Sequence, residues 1–289
     1  MNCSMKKILS AVLMLGLIIS LLSCDGQITS SATKDDVNNN LDNNKSTAPI
    51  ITAIEEMENY YDDAKQYRVT YENGTKMAFR ILNDRQVMVC ANNTLNENYN
   101  PETDLDSEYS YNDYHGDIVI PESVIINDKE YMVTAIEKNA FLDTDIISVN
   151  IPKTIITMDA GAFMHSFVGW PGFGTASARL ERITVAEGNP RFDSRENCNA
   201  VIESASNTLI VGCKNTVIPE SVKSIDDWAF CDCDLVSLTI PAGVTSIGRH
   251  AFDNCFNLSS VTIKCSFLGM DSQELEEYGI DDRRTVIRR

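Results

Sequence analysis

The segment Phe230–Asp234 reads FCDCD and places two cysteines one residue apart among carboxylates. Thiolates and carboxylates bind metals, and neighbouring thiols can form a redox pair. A lone C-x-C pair offers too few donors for a structural zinc site, which needs about four ligands. The other interpretation is that these cysteines serve packing, and the spacing of the rest of the chain decides between the two.

Catalytic and cofactor motifs are missing from the sequence. The histidines, His115, His165 and His250, belong to no HExxH motif, and no nucleophile elbow or glycine-rich phosphate loop occurs. The acidic segment 103–113 alternates acids as a calcium loop does, but it lacks the central Gly and the closing Glu. A solvated acidic loop is its simpler interpretation. We therefore expect no enzymatic activity, no cofactor and no metal.

The charge balance restricts the partners. Asp and Glu number 42 against 24 Lys and Arg, giving a net charge of −18, while 43% hydrophobic residues suffice for a substantial core. A nucleic-acid-binding face needs a surplus of Lys and Arg, so we expect no nucleic-acid partner.

The N-terminal segment has the pattern of an export signal. Lys6 and Lys7 precede the apolar run Ile8–Leu22, which is too short for a membrane span and suits a signal peptide. The run ends in LLSC, which resembles a bacterial lipobox. That resemblance implies a signal peptide over 1–23 and lipidation of Cys24, with the protein anchored in the outer membrane facing the cell surface. An ordinary secretory signal is the alternative.

Residues 24–59 are assigned to a flexible tether. Its first half is rich in Asn, Ser, Thr and Asp, with NNNLDNNK at the centre, and buries too little apolar surface to offset the entropy of ordering. The tether would hold a folded body away from the membrane.

The rest of the chain is organised by a repeat. Two short sequence phrases, one ending in Ala-Phe and one containing a proline, recur with the same period. In the first phrase Ala140 and Ala162 are 22 residues apart, as are Ala229 and Ala251, and in the second Pro219 and Pro241 are also 22 residues apart. The first phrase occurs as TAIEKNAF (134–141), ITMDAGAF (156–163), KSIDDWAF (223–230) and TSIGRHAF (245–252). A shared period in two phrases indicates stacked structural units.

One unit, residues 235–255, shows how the repeat folds. Leu238 and Ile240 alternate with Thr239 as in a short strand, and Pro241 ends that strand because it has no N–H to donate. The segment around Ala251 reads as one helical turn beneath the strand. One such turn cannot bury its own apolar face, so units must stack. Parallel strands are predicted at Ile118–Ile120, Val149–Ile151, Ile183–Val185, Thr216–Ile218, Leu238–Ile240 and Val261–Ile263.

These phrases resemble the BspA-like leucine-rich-repeat surface proteins of bacteria. The resemblance implies a solenoid of leucine-rich repeats, with a short parallel strand and a helical turn per unit of about 22 residues, behind an N-terminal all-β cap. It also implies adhesion to host matrix proteins or to other bacteria. The domains are a cap at 60–133, the solenoid at 134–265 with an insert-type unit at 188–222, and a cap or degenerate repeat at 266–289.

Hairpins are predicted in the cap and in the insert-type unit. Asn83–Asp84 separates KMAFRIL from QVMVC, and Asn127–Asp128 separates SVIIN from KEYMVTAI. Ser206–Asn207 separates NAVIES from NTLIVGC in the same way.

The repeat also places the cysteines of FCDCD. Thr144, Ser166, Cys233 and Cys255 each lie four residues after the repeated alanine. Cys233 is therefore predicted to be a buried core position, where cysteine acts as a small hydrophobe. Cys231 follows no such rule, and an odd set of seven cysteines after Cys24 indicates no disulfide framework.

Strand residues that face away from the core form the candidate binding surface. They are small and polar apart from Val119 and Val217, and solenoids bind proteins on such faces. The candidates are Ser148, Asn150, Arg182, Thr184, Ser237, Thr239, Ser260 and Thr262. The expected partners are extracellular or cell-surface macromolecules, chiefly proteins. Two alternatives stand: merely solvated side chains, and a glycan-binding accessory protein that uses the loop at Trp170–Phe173.

Overall fold

A computed structural model of the chain describes residues 49–57, 65–95, 109–142, 144–163, 180–265, 272–280 and 285–288. The chain divides into two units, residues 1–46 and 47–289, and the described residues belong to the second. Within those ranges, no helix combines the length and the apolar character that a membrane crossing requires.

Short strands dominate this unit. They are β1 (Ile51–Met57), β2 (Gln66–Tyr71), β3 (Lys76–Asn83), β4 (Gln86–Cys90), β5 (Asn93–Leu95), β6 (Tyr109–Asn112), β7 (His115–Val119), β8 (Ser123–Ile126), β9 (Lys129–Ile136), β10 (Asp145–Ile151), β11 (Thr157–Met158), β12 (Arg182–Val185), β13 (Phe192–Asp193), β14 (Ala200–Glu203), β15 (Thr208–Gly212), β16 (Ser224–Ile225), β17 (Ser237–Ile240), β18 (Ser246–Ile247), β19 (Ser260–Ile263) and β20 (Thr285–Arg288). The described helices are two 3-10 helices, Ala160–Phe163 and Arg195–Asn197, and α1 (Ser272–Glu277).

The cap sheet begins earlier than the sequence indicates. Strands β1 to β4 pair antiparallel in chain order. Strand β1 lies inside the range 24–59 that was assigned to the tether, so the folded body begins before residue 60. Strand β9 crosses the predicted boundary between residues 133 and 134 and pairs with β4, β8 and β11. The cap and the first repeat therefore share one sheet.

Two separate parallel ladders carry the long strand of the repeat. Strand β10 pairs parallel with β7 and β12, and β19 pairs parallel with β17 and β20. Five of the six predicted strands coincide with these elements. The sixth, Thr216–Ile218, was wrong because the residues there form no strand.

Local hydrogen bonds of the insert-type unit explain that exception. The Thr216 hydroxyl donates to the Asn199 carbonyl at 2.6 Å and accepts from the Cys213 N–H at 2.8 Å. The Val217 N–H donates to the Cys198 carbonyl at 3.0 Å. The Val217 N–H is thus bonded to a carbonyl within the insert-type unit and not to a neighbouring long strand, and the long-strand ladder is interrupted at this unit.

All three predicted hairpins are present. The strand pairs β3–β4, β8–β9 and β14–β15 are antiparallel at the predicted places. Asn127 and Asp128 have φ values of 52° and 63°, the left-handed pair that a two-residue hairpin turn requires. The first turn lies one residue later than predicted, at Asp84–Arg85.

The helical turn of the repeat is a 3-10 helix in one unit, Ala160–Phe163. Elsewhere the same segment is a hydrogen-bonded turn, as in the bond of 3.3 Å from the Ala229 N–H to the Asp226 carbonyl. The residue before the repeated alanine explains the difference. Asn139, Trp228 and His250 have φ values of 61°, 64° and 58°, and left-handed backbone interrupts a right-handed helix.

A second short strand in each unit was not predicted. Strand β11 pairs with β9, and β16 pairs with β15 and β18, all in parallel. Their inward residues, Ile225 and Ile247, are buried. Two residues per strand are too few for an alternating pattern to stand out in the sequence.

Stacked aromatic rings fill the core beneath these strands. The ring centroids of Phe141 and Phe163 lie 4.9 Å apart, and those of Phe230 and Phe252 lie 5.3 Å apart. Each pair repeats one side chain in successive units. Tyr114 of the cap extends the first stack, with its ring centroid 4.9 Å from that of Phe141. The cap thereby supplies the aromatic ring that covers the first repeat.

Buried polar groups join strands within the cap and fasten the cap to that repeat. The Tyr114 hydroxyl accepts from the Ala78 N–H at 2.9 Å and donates to the Cys90 carbonyl at 3.0 Å. The Asn112 side-chain amide donates to the Ala140 carbonyl at 2.8 Å. These bonds satisfy backbone groups that water cannot reach.

The range 266–289 continues the stack in its described part. Strand β20 extends the second ladder, pairing Val261 with Val286. The N–H groups of His250 and Phe252 donate to the carbonyls of Glu277 and Tyr278 at 3.0 and 2.8 Å. The segment beginning with α1 therefore lies against the last regular unit, as a degenerate repeat would.

Candidate interaction surface

The cysteines of the repeat are core residues. Cys233 and Cys255 are 7% and 0% exposed. The Cys255 thiol donates to the Phe230 carbonyl at 3.0 Å, and the Cys233 thiol lies 3.5 Å from the Gly212 carbonyl. Each thiol therefore contacts the backbone of the preceding unit. Burial holds the pKa of Cys233 well above its usual range, which keeps the thiol protonated and unreactive.

Cys231 is buried as well, although its place in the repeat gave no reason to expect it. Its sulfur lies 3.2 Å from the Asp232 carboxylate. Burial, followed by the charge of Asp232, raises the pKa of this thiol. Among the described residues no three His, Cys, Asp or Glu side chains converge as metal ligands would. FCDCD therefore has the geometry of packing residues.

The first ladder, β7–β10–β12, carries one half of the candidate face. Register places Asp117, Ser148 and Arg182 side by side, and Asn150 between Val119 and Thr184. The Ser148 hydroxyl donates to the Asp117 carboxylate, and an Arg182 guanidinium nitrogen lies 3.7 Å from the same carboxylate. This half of the face therefore carries an exposed ion pair.

The second ladder carries the other half. Ser237 lies beside Ser260, and Thr239 lies beside Thr262. Ser237 and Thr239 are exposed, and Ser260 and Thr262 are half-buried. Between these residues Leu238, Ile240, Val261 and Ile263 point into the core. All eight predicted residues thus occupy outward strand positions, four in each ladder, and we call their surface the strand face.

Sequence reasoning missed one charged member of the strand face, Asp117, and anticipated an apolar one, Val119. Asp117 pairs with both Ser148 and Arg182, and its place two residues before Val119 in an alternating strand was the available signal. Val119 is 67% exposed, as expected for an outward strand position; Val217 is 72% exposed but lies in the segment 216–218, which forms no strand.

Other candidates lie outside the described residues. These are Cys24, His165, Ser166, the loop Trp170–Phe173 and most of the acidic segment 103–113.

Comparison with known proteins supports the repeat assignment. A family model, the BspA type leucine-rich repeat region, matches residues 117–168 and 207–278 in six copies. The chain contains BspA-type leucine-rich repeats. The match leaves out residues 169–206, which hold the loop Trp170–Phe173 and the start of the insert-type unit, and it includes α1. Among curated proteins we find no relative of the chain.

Solved structures of similar proteins come from bacteria. A leucine-rich repeat protein from Bacteroides ovatus is 19% identical over 65% of this chain and 48% of its own, with a TM-score of 0.35. One from Eubacterium ventriosum is 18% identical over 52% and 42%, with a TM-score of 0.34. A leucine rich cell surface protein from Faecalibacterium prausnitzii is 21% identical over 66% and 53%, with a TM-score of 0.28. The chain spans about half the length of these relatives.

Proposed function

We propose that the leucine-rich repeats of this chain form a solenoid whose strand face binds other macromolecules, chiefly proteins, without catalysis. The observation that carries the proposal is the strand face itself: two parallel ladders present eight small or polar side chains in register. Solenoids use extended surfaces of this kind for protein recognition.

The chemistry of the strand face suits a protein partner. Ser and Thr side chains lose little rotamer freedom when they become fixed and can both donate and accept hydrogen bonds. Val119 lies among polar neighbours and is exposed, which gives the face an apolar contact with a polar surround, as protein interfaces have. The Asp117–Arg182 pair supplies charges that can orient a partner.

The location we propose is the outer surface of the cell, reached through a lipid anchor on Cys24. The basic start, the short apolar run and LLSC support this proposal. A single acyl chain binds a membrane only weakly, so stable anchoring of Cys24 needs more than one chain. From that place the chain would contact host matrix proteins or other bacteria, that is, act in adhesion.

Fatty-acid labelling tests the anchor. Cells that express the full chain or its Cys24→Ser variant are grown with radioactive palmitate, and we expect label only in the wild-type chain. Equal labelling of both chains would refute lipidation at Cys24.

A matched pair of arginine substitutions tests the strand face. Thr239 is exposed on that face, and Ala205 is exposed in the hairpin turn between β14 and β15. Binding of the full chain to immobilised fibronectin, laminin and collagen is measured by surface plasmon resonance. We expect Thr239→Arg to weaken binding by about tenfold or more, because a long charged side chain separates the surfaces, and Ala205→Arg to leave it unchanged. Equal effects of the two substitutions would contradict the proposal.

A further inference from the structure

The first ladder ends in an open edge at β7. Among the described residues β7 pairs with β10 alone, and it is the outermost strand of its sheet. The Ile120 N–H donates to the Asn150 carbonyl at 3.1 Å, so it points toward β10. Backbone groups of successive strand residues point to opposite sides of the strand. The N–H and C=O groups of Asp117 and Val119 therefore point away from β10, to the outer edge of the sheet.

Solvent reaches this edge. Val119 is 67% exposed, and the Asp117 side chain is 68% exposed. A Cβ added at Gly116 would have no described neighbour within 4 Å, so the space beside the start of β7 is open. Lysine and proline often block the edge strands of native proteins, and β7, which reads HGDIV, has neither. The edge is therefore able to pair with a further strand.

The edge is continuous with the strand face. Asp117 lies beside Ser148, and Val119 lies beside Asn150. The Asp117 carboxylate accepts a hydrogen bond from the Ser148 hydroxyl, and the Arg182 nitrogen at 3.7 Å is beyond hydrogen-bond distance. A carboxylate has about four acceptor sites, so Asp117 can accept further hydrogen bonds from a cation. A segment that lies along β7 would thus meet a carboxylate and, two residues later, an exposed valine.

We propose that an extended segment of a partner protein binds as an added strand beside β7. Main-chain hydrogen bonds to the edge then give affinity, and alternate side chains give specificity. The side chains that suit the edge are a lysine or arginine beside Asp117 and, two positions away, an apolar residue beside Val119. The excess of 42 acidic over 24 basic residues favours a basic segment and disfavours a second copy of this chain. This inference rests on the proposed protein binding and specifies the form of the partner.

Amide hydrogen exchange tests the open edge. Exchange in the full chain is followed for single residues by nuclear magnetic resonance. We expect the Asp117 and Val119 amides to exchange about a hundredfold or more faster than those of Ile118 and Ile120, which face β10. Equal protection of all four amides would overturn the proposal, because the edge would then be paired already.

A synthetic peptide supplies the added strand. It consists of threonines with one lysine and, two positions later, one valine. The control peptide has the same sequence, is N-methylated at every residue and has no N–H to donate. We expect the first peptide, at saturation, to slow exchange of the Asp117 and Val119 amides by about tenfold or more, and the control to leave it unchanged. No slowing by the first peptide, or equal slowing by both, would overturn the proposal.

A proline substitution separates this inference from the proposed function. Val119→Pro removes an N–H that faces the open edge and no bond between β7 and β10, so the fold is retained. Val119→Ala keeps that N–H and is the matched control. In the matrix-protein assay used for Thr239→Arg, we expect Val119→Pro to weaken binding by about tenfold or more and Val119→Ala to weaken it less.

The two proposals fail in different ways in this assay. If Thr239→Arg weakens binding while Val119→Pro binds as well as Val119→Ala, the added strand is overturned and the strand face stands. If neither Thr239→Arg nor Val119→Pro weakens binding, both are overturned. The peptide experiment uses the wild-type chain, so it decides the proposal whether or not Val119→Pro folds.

Discussion

Two tyrosine-to-phenylalanine substitutions in the cap should have opposite effects on stability. Tyr114 and Tyr71 are both buried, at 1% and 5% exposure, and each substitution removes one hydroxyl oxygen. The Tyr114 hydroxyl bonds the Ala78 N–H and the Cys90 carbonyl. Among the described residues the Tyr71 hydroxyl has no hydrogen-bond partner. The same chemical change therefore removes two bonds in one case and relieves an unpaired polar group in the other.

The magnitudes follow from the cost of unpaired buried groups. Tyr114→Phe leaves the Ala78 N–H unpaired, which costs about 1–3 kcal/mol, and removes the bond to the Cys90 carbonyl, which contributes about 0.5–1.5 kcal/mol. The free energy of unfolding should therefore fall by about 1.5–4.5 kcal/mol. Tyr71→Phe removes a buried hydroxyl whose hydration was lost on folding. We expect it to leave the free energy of unfolding unchanged or to raise it by up to about 1 kcal/mol.

Urea unfolding followed by circular dichroism measures both values. With a urea dependence of about 2 kcal/mol per molar, Tyr114→Phe should lower the midpoint by about 1 M or more. The Tyr71→Phe midpoint should equal or exceed that of wild type. Equal destabilisation by the two substitutions would refute the reasoning, because it would show that the Tyr114 bonds contribute nothing specific.

Three further predictions concern the repeats. Gly212→Ala should destabilise the chain by about 1–3 kcal/mol in urea unfolding, since the added Cβ would lie 2.0 Å from the Phe230 ring. Phe230→Leu in the same chain should recover part of this loss. If the double variant instead lost the sum of the two single-variant stabilities, the contact would be contradicted. Burial raises the pKa of the Cys213 thiol to about 11, so this thiol should resist iodoacetamide at pH 8 in the native chain and react in urea. Equal labelling of the native and the unfolded chain, measured by mass spectrometry, would contradict its burial. Although burial acts in the opposite direction, hydrogen bonds from Arg195 and Ser204 hold the pKa of the Asp193 carboxyl below its usual range. The stability that the ionised Asp193 confers is therefore lost as the pH falls below about 4. Asp193→Asn should flatten that decline in unfolding experiments from pH 6 to pH 3, and an unchanged slope would contradict the assignment.

The periodic parts of the fold could be predicted from the sequence because their cause is periodic. Leu238, Ile240 and Phe252 are apolar where each stacked unit needs a buried side chain, so the spacing of 22 residues locates strands and core together. The same spacing explained Cys233, since Cys255, which occupies the same repeat position in the neighbouring unit, is buried as well. The eight outward residues followed from the alternation of the strands.

The remaining features depend on contacts that no local pattern encodes. At the insert-type unit the Val217 N–H is bonded to the Cys198 carbonyl, where a strand of the long ladder was predicted. Left-handed backbone at Trp228 and His250 converts a predicted helical turn into a hydrogen-bonded turn, and a Trp residue does not signal that conformation. Asp117 joined the strand face through two neighbours that are 31 or more residues distant.

The central claim is that partners bind the strand face, and site-specific photo-crosslinking tests it most directly. A benzophenone amino acid is placed at Thr239 on the strand face or at Ala205 in the β14–β15 turn, both of which are exposed. Each full chain is irradiated in the presence of the matrix protein that it binds. We predict a covalent adduct from position 239 and none from position 205. An adduct from position 205 alone would contradict the claim.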